Sequence, residues 1–109
     1  MIIRPATLSD FEAFYGRKPP ISLRALAAVR DNTIVGIGGY YIQNGLAVAF
    51  TDSISMTKRE VIQAGRAFMA FIRGLKIDVV AQCNPASGDT VLKHYGFKPY
   101  RDDAWRLEI

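Results

Sequence analysis

The stretch LAVAFTDSISMTKREVIQAGRAFMAFIRGL, residues 46–75, joins an apolar strand to a long amphipathic helix, and the other predicted elements are arranged around it. Leu46 to Thr51 has the composition of a strand, and a short polar break, Asp52 to Ser55, follows it. From Thr57 to Leu75, apolar residues recur at steps of three and four, which predicts a helix of about five turns. The first turn of this helix carries two cations, Lys58 and Arg59. A strand that leads into a cationic helix start is a place to hold an anion.

These two cations lie where the helix dipole favours carboxylates by roughly 0.3–1 kcal/mol. Lys58 and Arg59 are therefore unfavourably placed unless an anion joins them. Free backbone N–H groups and both side chains could hold a phosphate there. The alternative is a solvated helix end whose cations point to water, and the residues alone favour neither interpretation.

The segments before residue 46 predict a strand, a helix and the first two strands of an antiparallel meander. Pro5 ends the first strand or places it at a sheet edge. The helix has two overlapping start signals, at Thr7 and at Ser9, each with a carboxylate three residues later. Asn44-Gly45 is a hairpin signal. The predicted ranges are 2–4 for the first strand, 22–30, 33–42 and 46–51 for the meander, and about 7–15 for the helix.

The segments after residue 75 predict a buried strand, a short helix and a closing hairpin. Ile77 to Cys83 is a continuous apolar run with the length of a central strand. Asn84 and Pro85 have the pattern of an N-cap followed by a proline at the first helical position, and Gly96 is the expected end of that helix. The hairpin is expected at 97–100 and 104–109.

Length and composition indicate a single domain, residues 1–109, with enough hydrophobic residues for a core. One cysteine cannot form an internal disulfide, and no Cys or His cluster suggests a metal site. The absence of an apolar segment approaching the ~18 residues of a membrane span, and of a signal-peptide pattern, predicts a cytoplasmic protein. The charge of +4 is spread along the chain, so nucleic-acid binding is an unfavoured alternative.

The order of these elements resembles that of the GCN5-related N-acetyltransferases (GNAT). Four passages carry the likeness: Ile3 to Asp10, Val35 to Gly39, the strand-to-helix stretch, and Asn84 to Phe97. The resemblance implies a mixed α/β (α+β) fold, with a splayed, mostly antiparallel sheet of about six or seven strands and about three helices. Compact chains of this type also resemble acetyltransferase-like proteins encoded among phage and prophage genes.

The resemblance implies that acetyl-CoA binds where the strands at 46–51 and 77–83 part. The pantetheine arm would pair with the backbone of Phe50 and Thr51, and the pyrophosphate would lie at the helix start, on Thr57, Lys58 and Arg59. Asn84 would add a contact to the cofactor arm. An amine acceptor is implied, but its class and any homodimer are left open, because variable loops and dimer contacts build such pockets.

Two departures from the family pattern leave two functions open. Residues 53–60 contain no glycine, where the family has a glycine-rich phosphate turn, and Leu92 stands where a tyrosine general acid is usual. Gly65 and Tyr95 are better explained by packing. The leading hypothesis is transfer of an acetyl group to a primary amine by direct attack in a ternary complex. The alternative is a non-catalytic phage accessory or virion-associated protein that acts through protein binding.

Few side chains are candidates for chemistry. Asp52, just past the fourth strand, is the best-placed carboxylate for a base or proton relay, with a turn residue as the competing interpretation. His94 suits the last turn of a helix, where a cation is favourable. Cys83 has no apparent partner for thiol chemistry. Four aromatic residues could line an acceptor pocket or pack in the core: Tyr40, Tyr41, Tyr100 and Trp105.

Overall fold

The computed structural model describes residues 1–19, 22–82, 92–101 and 104–109. In chain order the elements are β1 (Ile2–Pro5), α1 (Leu8–Tyr15), β2 (Arg24–Arg30), β3 (Thr33–Gln43), β4 (Leu46–Ser53), α2 (Lys58–Arg73), β5 (Val79–Gln82), β6 (Lys98–Arg101) and β7 (Ala104–Leu107). Residues 92–94 are also helical. The predicted start of that last helix, at Asn84, lies outside the described residues.

The strands form one seven-stranded sheet in the order β1-β2-β3-β4-β5-β7-β6. Within the described strands, β4 and β5 pair in parallel and the other neighbours pair antiparallel. The predicted meander, the closing hairpin and the mixed, mostly antiparallel sheet are confirmed. Pro5 is the last residue of β1, an edge strand, as its missing N–H requires.

The pairing between β4 and β5 is short within the described residues. The two strands pair at only three positions, ending at Ala49 opposite Ala81. Beyond this point β4 continues to Ser53, still paired with β3 through Gly36 opposite Ser53. No described residue of β5 pairs with β4 beyond Ala49, and the predicted continuation of β5 to Cys83 lies outside the described residues, so the parting of the two strands stays a prediction.

The α2 face of the sheet holds the main core. Tyr40 and Ala49 are cross-strand partners on this face, and the Tyr40 ring lies 5.4 Å from that of Phe71. At Gly38 a Cβ would come within 2.8 Å of the Phe68 ring, so glycine lets the helix approach the strand closely. The core residues of this layer are buried: Tyr40, Ala47, Ala49, Met69, Ile72, Val79, Ala81, Phe97 and Leu107.

Both long helices begin with a capping box. At α1 the structure uses Thr7 and Asp10, not the overlapping pattern at Ser9, and Gly16 ends the helix in the left-handed region with φ 74°. At α2 the cap is Thr57 with Glu60. Each threonine side chain accepts the N–H three residues on, and each carboxylate accepts the N–H of its threonine, so two orphan donors are satisfied at each helix.

Some predicted boundaries differ from the observed ones. The helix expected to reach Leu75 ends at Arg73, and the strand expected from Ile77 begins at Val79. Just before β5, the side chain of Asp78 accepts hydrogen bonds from Arg106 and from the backbone N–H of Ile109. No helix in the described part of the chain is long and apolar enough to cross a membrane.

Candidate functional site

A pocket opens on the α1 face of the sheet, opposite the main core. Its volume is about 560 Å³, within the range of small-molecule sites. Residues from α1, from the segment after it, and from β3 and β4 line it, including Phe11, Tyr15, Arg17, Tyr41, Phe50 and Asp52. Four of its nine lining residues are aromatic, and the charged groups are one guanidinium and one carboxylate.

Strand alternation explains how β4 supplies this pocket. Phe50 and Asp52 are two residues apart and share the α1 face, whereas Thr51 lies on the opposite face and is exposed. Phe50 lies across from Gly39, and a Cβ on this glycine would come within 2.9 Å of the Phe50 ring. The glycine thus makes room for the aromatic ring of Phe50 in the pocket wall.

Asp52 is held by Tyr15. The Tyr15 hydroxyl donates a hydrogen bond to Oδ2 of Asp52, joining the last residue of α1 to β4. The Tyr15 ring packs against Phe11, with ring centroids 4.4 Å apart. Burial, and secondly the bond to Asp52, raise the pKa of the Tyr15 hydroxyl well above its usual value, so it stays protonated and donating. No bond within the described residues occupies Oδ1 of Asp52.

Sequence reasoning identified Asp52 but missed Tyr15, which lies at the end of the predicted first helix. One signal was available. A tyrosine that packs its ring into an apolar face still needs a partner for its hydroxyl. The identity of that partner required the pairing of β3 with β4, which brings residue 52 over the end of α1.

The start of α2 lies at the end of the same β4-to-α2 connection. Glu60 completes the capping box and accepts a hydrogen bond from Arg30 at 2.6 Å, and Arg30 also donates to the Ser55 carbonyl at 3.2 Å. The hydrogen bond from the Thr57 backbone, and then the Arg30 charge, lower the pKa of Glu60. The connection is thus tied to the β2–β3 end by an arginine, in a stretch without glycine.

Lys58 and Arg59 are exposed, and neither forms an ion pair within the described residues. The capping box satisfies the N–H groups of Thr57 and Glu60, which leaves those of Lys58 and Arg59 as the remaining first-turn donors. The argument from the two cations overlooked Glu60, a carboxylate already placed where the dipole favours one. The helix's own residues therefore satisfy two of the four first-turn N–H groups, and two exposed cations and two N–H donors remain.

The other candidates that the structure describes are placed apart from the pocket. Asn84 and Cys83 lie outside the described residues. His94 is exposed, and Leu92 packs against the core. Tyr95 packs against α2 at Gly65, where a Cβ would collide with its hydroxyl, which supports the packing interpretation of both residues.

The four aromatic candidates divide among three places. Tyr41 lines the pocket. Tyr40 is buried on the opposite face, and Trp105 packs against the same core. Tyr100 lies on β6, with the guanidinium groups of Arg101 and Arg106 at 5.0 and 5.1 Å from its ring centroid. Only Tyr41 of these four is part of the candidate site in the described structure.

No protein-family model and no curated protein match the sequence. Solved structures do match along nearly the whole chain. The protein smu.2055 from Streptococcus mutans UA159 has a TM-score of 0.66 at 15% identity, covering 99% of both chains. An acyl-CoA N-acyltransferase from Pseudomonas aeruginosa has a TM-score of 0.65 at 17% identity, covering 97% of this chain and 99% of that one. The GNAT domain of S. lividans PAT has a TM-score of 0.60 at 17% identity, covering 98% and 88%.

These likenesses show that the chain has the GNAT fold, as the order of its elements predicted. At such identities they show the fold alone, so no residue role is transferred from them. The phage or prophage origin suggested by the compact length finds no support among these structures.

Proposed function

We propose that the chain is an acetyl-CoA-dependent N-acetyltransferase that acts on a primary amine. The observation that carries this proposal is the position of Asp52, a carboxylate held by Tyr15 in a pocket beside the end of β4. The GNAT fold supports acyl-CoA chemistry at this place, and one structural neighbour is AtaTR bound with AcCoA, with a TM-score of 0.52 at 12% identity.

The residues at the predicted split suit acetyl-CoA, which supplies a thioester-activated acetyl group when bound. Beyond Ala49, β4 pairs with no described residue of β5, so its edge would offer backbone groups at Phe50 and Thr51 to an extended amide-containing arm. The outward N–H groups and side chains of Lys58 and Arg59, next to Thr57, suit the phosphates. Asn84 is a further proposed contact, from the resemblance.

Asp52 would bind the acceptor as an ammonium and take up its proton as the nitrogen becomes a nucleophile. Because Tyr15 donates to Oδ2, the carboxylate is oriented and Oδ1 is left for the acceptor. Tyr15 is then a positioning residue for Asp52. The aromatic wall excludes water from one side of the acceptor.

A second function is supported by a separate observation. The connection and first turns of α2 expose three apolar side chains, Ile54 at 56%, Val61 at 51% and Ile62 at 47%. Exposed apolar residues grouped in this way are typical of protein contacts. Together with the missing glycine-rich turn, they keep a non-catalytic, partner-binding role as the alternative.

Calorimetric titration with acetyl-CoA and with CoA separates the two functions. The enzyme hypothesis expects micromolar affinity, followed by turnover of primary amines. Asp52→Asn should lower kcat about 100-fold with little change in CoA affinity. Asp31→Asn, at an exposed turn position away from the pocket, is the matched control and should behave as wild type. No binding at millimolar ligand would overturn the enzyme hypothesis in favour of partner binding.

A further inference from the structure

Two opposite charges line the pocket without pairing. Arg17 and Asp52 both contribute to its wall, yet no ion pair within 4 Å joins them in the described structure, and Arg17 donates no hydrogen bond there. Both act on the same group, Tyr15. Burial and Asp52 raise the pKa of its hydroxyl, and the Arg17 charge opposes that rise. Arg17 and Asp52 thus share one pocket wall, and their charged groups are too far apart to form an ion pair with each other.

A zwitterion is the ligand chemistry that such a pair suits. An ammonium on Oδ1 of Asp52 and a carboxylate on the Arg17 guanidinium would each gain a charge-assisted hydrogen bond. A simple amine would leave the guanidinium without a counterion, and a simple carboxylate would face Asp52 unpaired. Arginine suits this role because its planar donors match carboxylate geometry.

The rest of the wall defines the body of the ligand. Four apolar or aromatic residues line the same pocket: Phe11 from α1, Leu23 from the segment that precedes β2, Tyr41 from β3 and Phe50 from β4. A pocket lined in this way favours an apolar or aromatic group and penalises a charged one.

We propose that the acceptor is a free α-amino acid with a large apolar side chain, bound with its ammonium on Asp52 and its carboxylate on Arg17. Its role as acceptor rests on the proposed function, whereas its binding rests on Arg17 and Asp52. In the transfer, a bond forms between its nitrogen and the acetyl carbon, and the bond from that carbon to sulfur breaks. The ammonium gives up two protons. One ends on the CoA thiol, and the other passes through Asp52 to water.

Binding is measured first, without CoA, by calorimetry or NMR titration with L-phenylalanine, L-phenylalaninamide and phenethylamine. L-Phenylalanine should bind about tenfold more tightly than its amide, since one charge-assisted contact is lost in the amide. Arg17→Gln should remove this difference. Lys18→Gln is the matched control, because Lys18 is the neighbouring exposed cation and is not part of the pocket wall, and it should keep the difference.

Each outcome has a separate meaning. Equal affinity for acid and amide, an acid preference that survives Arg17→Gln, or no binding of L-phenylalanine would overturn the inference. Acetylation of phenethylamine with no preference for the acid would overturn it too and would leave the acetyltransferase proposal intact. Arg17-dependent binding of L-phenylalanine without any CoA binding would support the site and refute the proposed transfer.

Discussion

The N-termini of α1 and α2 have the same capping arrangement, but only that of α2 carries additional charged residues, Lys58 and Arg59. In both, a threonine caps the helix, a carboxylate three residues later completes the box, and an arginine from a strand binds that carboxylate. The residues are Thr7, Asp10 and Arg4 at α1, and Thr57, Glu60 and Arg30 at α2.

The two starts differ in burial and in their first-turn residues. Asp10 is 8% exposed and is bound at both oxygens by Arg4, at 2.5 and 3.0 Å. Glu60 is bound by one nitrogen of Arg30. Leu8 and Ser9 follow the cap of α1, whereas Lys58 and Arg59 follow that of α2. The residues at the start of α1 are therefore explained by their contribution to stability. The start of α2 carries two positive charges that its capping box does not use.

The largest effect is expected from removing the buried carboxylate. Asp10→Ala breaks the capping box and leaves Arg4 without its partner, so the free energy of unfolding should fall by about 2 kcal/mol. Glu60→Ala should lower it less, because Glu60 is bound less completely. Urea unfolding of both variants measures this order, and equal losses would refute the distinction between the two starts.

The pH dependence of stability should also show the contribution of Asp10. The hydrogen bond from Arg4, and then that from the Thr7 backbone, hold the pKa of Asp10 far below its ordinary value of 3.8. A lowered folded-state pKa contributes stability that is complete above the unfolded value and is lost as pH falls through the folded value. The stability gap between wild type and Asp10→Ala should therefore be constant from pH 7 to about 5 and narrow below pH 4. A gap that widens in acid would contradict the assignment.

The next prediction concerns the extra cations. The double change Lys58→Glu and Arg59→Glu should weaken CoA binding at least tenfold, since two charge-assisted phosphate contacts become repulsions. Folding should be retained, because carboxylates suit a helix start. The matched control places Lys and Arg at the other helix, as Leu8→Lys with Ser9→Arg, and should leave CoA affinity unchanged. Unchanged CoA affinity in the Lys58 and Arg59 variant would show that these cations do not bind the phosphates.

Features that depend on residues close together in the sequence could be predicted from the sequence. The capping box at Thr7, the hairpin turn at Gly45 and the period of α2 are local patterns, and the structure has all three. Asp52 was predicted to follow the strand, but β4 continues to Ser53, so Asp52 lies within the strand; it nevertheless lines the pocket. The fold could be predicted because its element order is encoded in such local signals.

Contacts between distant segments could not be predicted. Tyr15 and Asp52 are 37 residues apart, and Arg30 and Glu60 are 30 apart. No local period brings such pairs together, and they depend on strand register and on the face each side chain takes. The capping box of Thr57 and Glu60, by contrast, is a local pattern and could have been predicted from the sequence.

The smallest effect, and the sharpest division between the two starts, is expected at their arginines. Arg30 donates to the Ser55 carbonyl as well as to Glu60, so it shapes the connection into α2 where glycines are absent. Arg30→Met should weaken CoA binding about threefold, which is less than one charge-assisted contact is worth, because it changes the loop and not the phosphate ligands. Arg4→Met, the equivalent change at α1, should lower the melting temperature and leave CoA affinity as in wild type. If both arginines affected CoA binding equally, the loss would reflect general destabilisation, and the α2 start would have no special role in holding the cofactor.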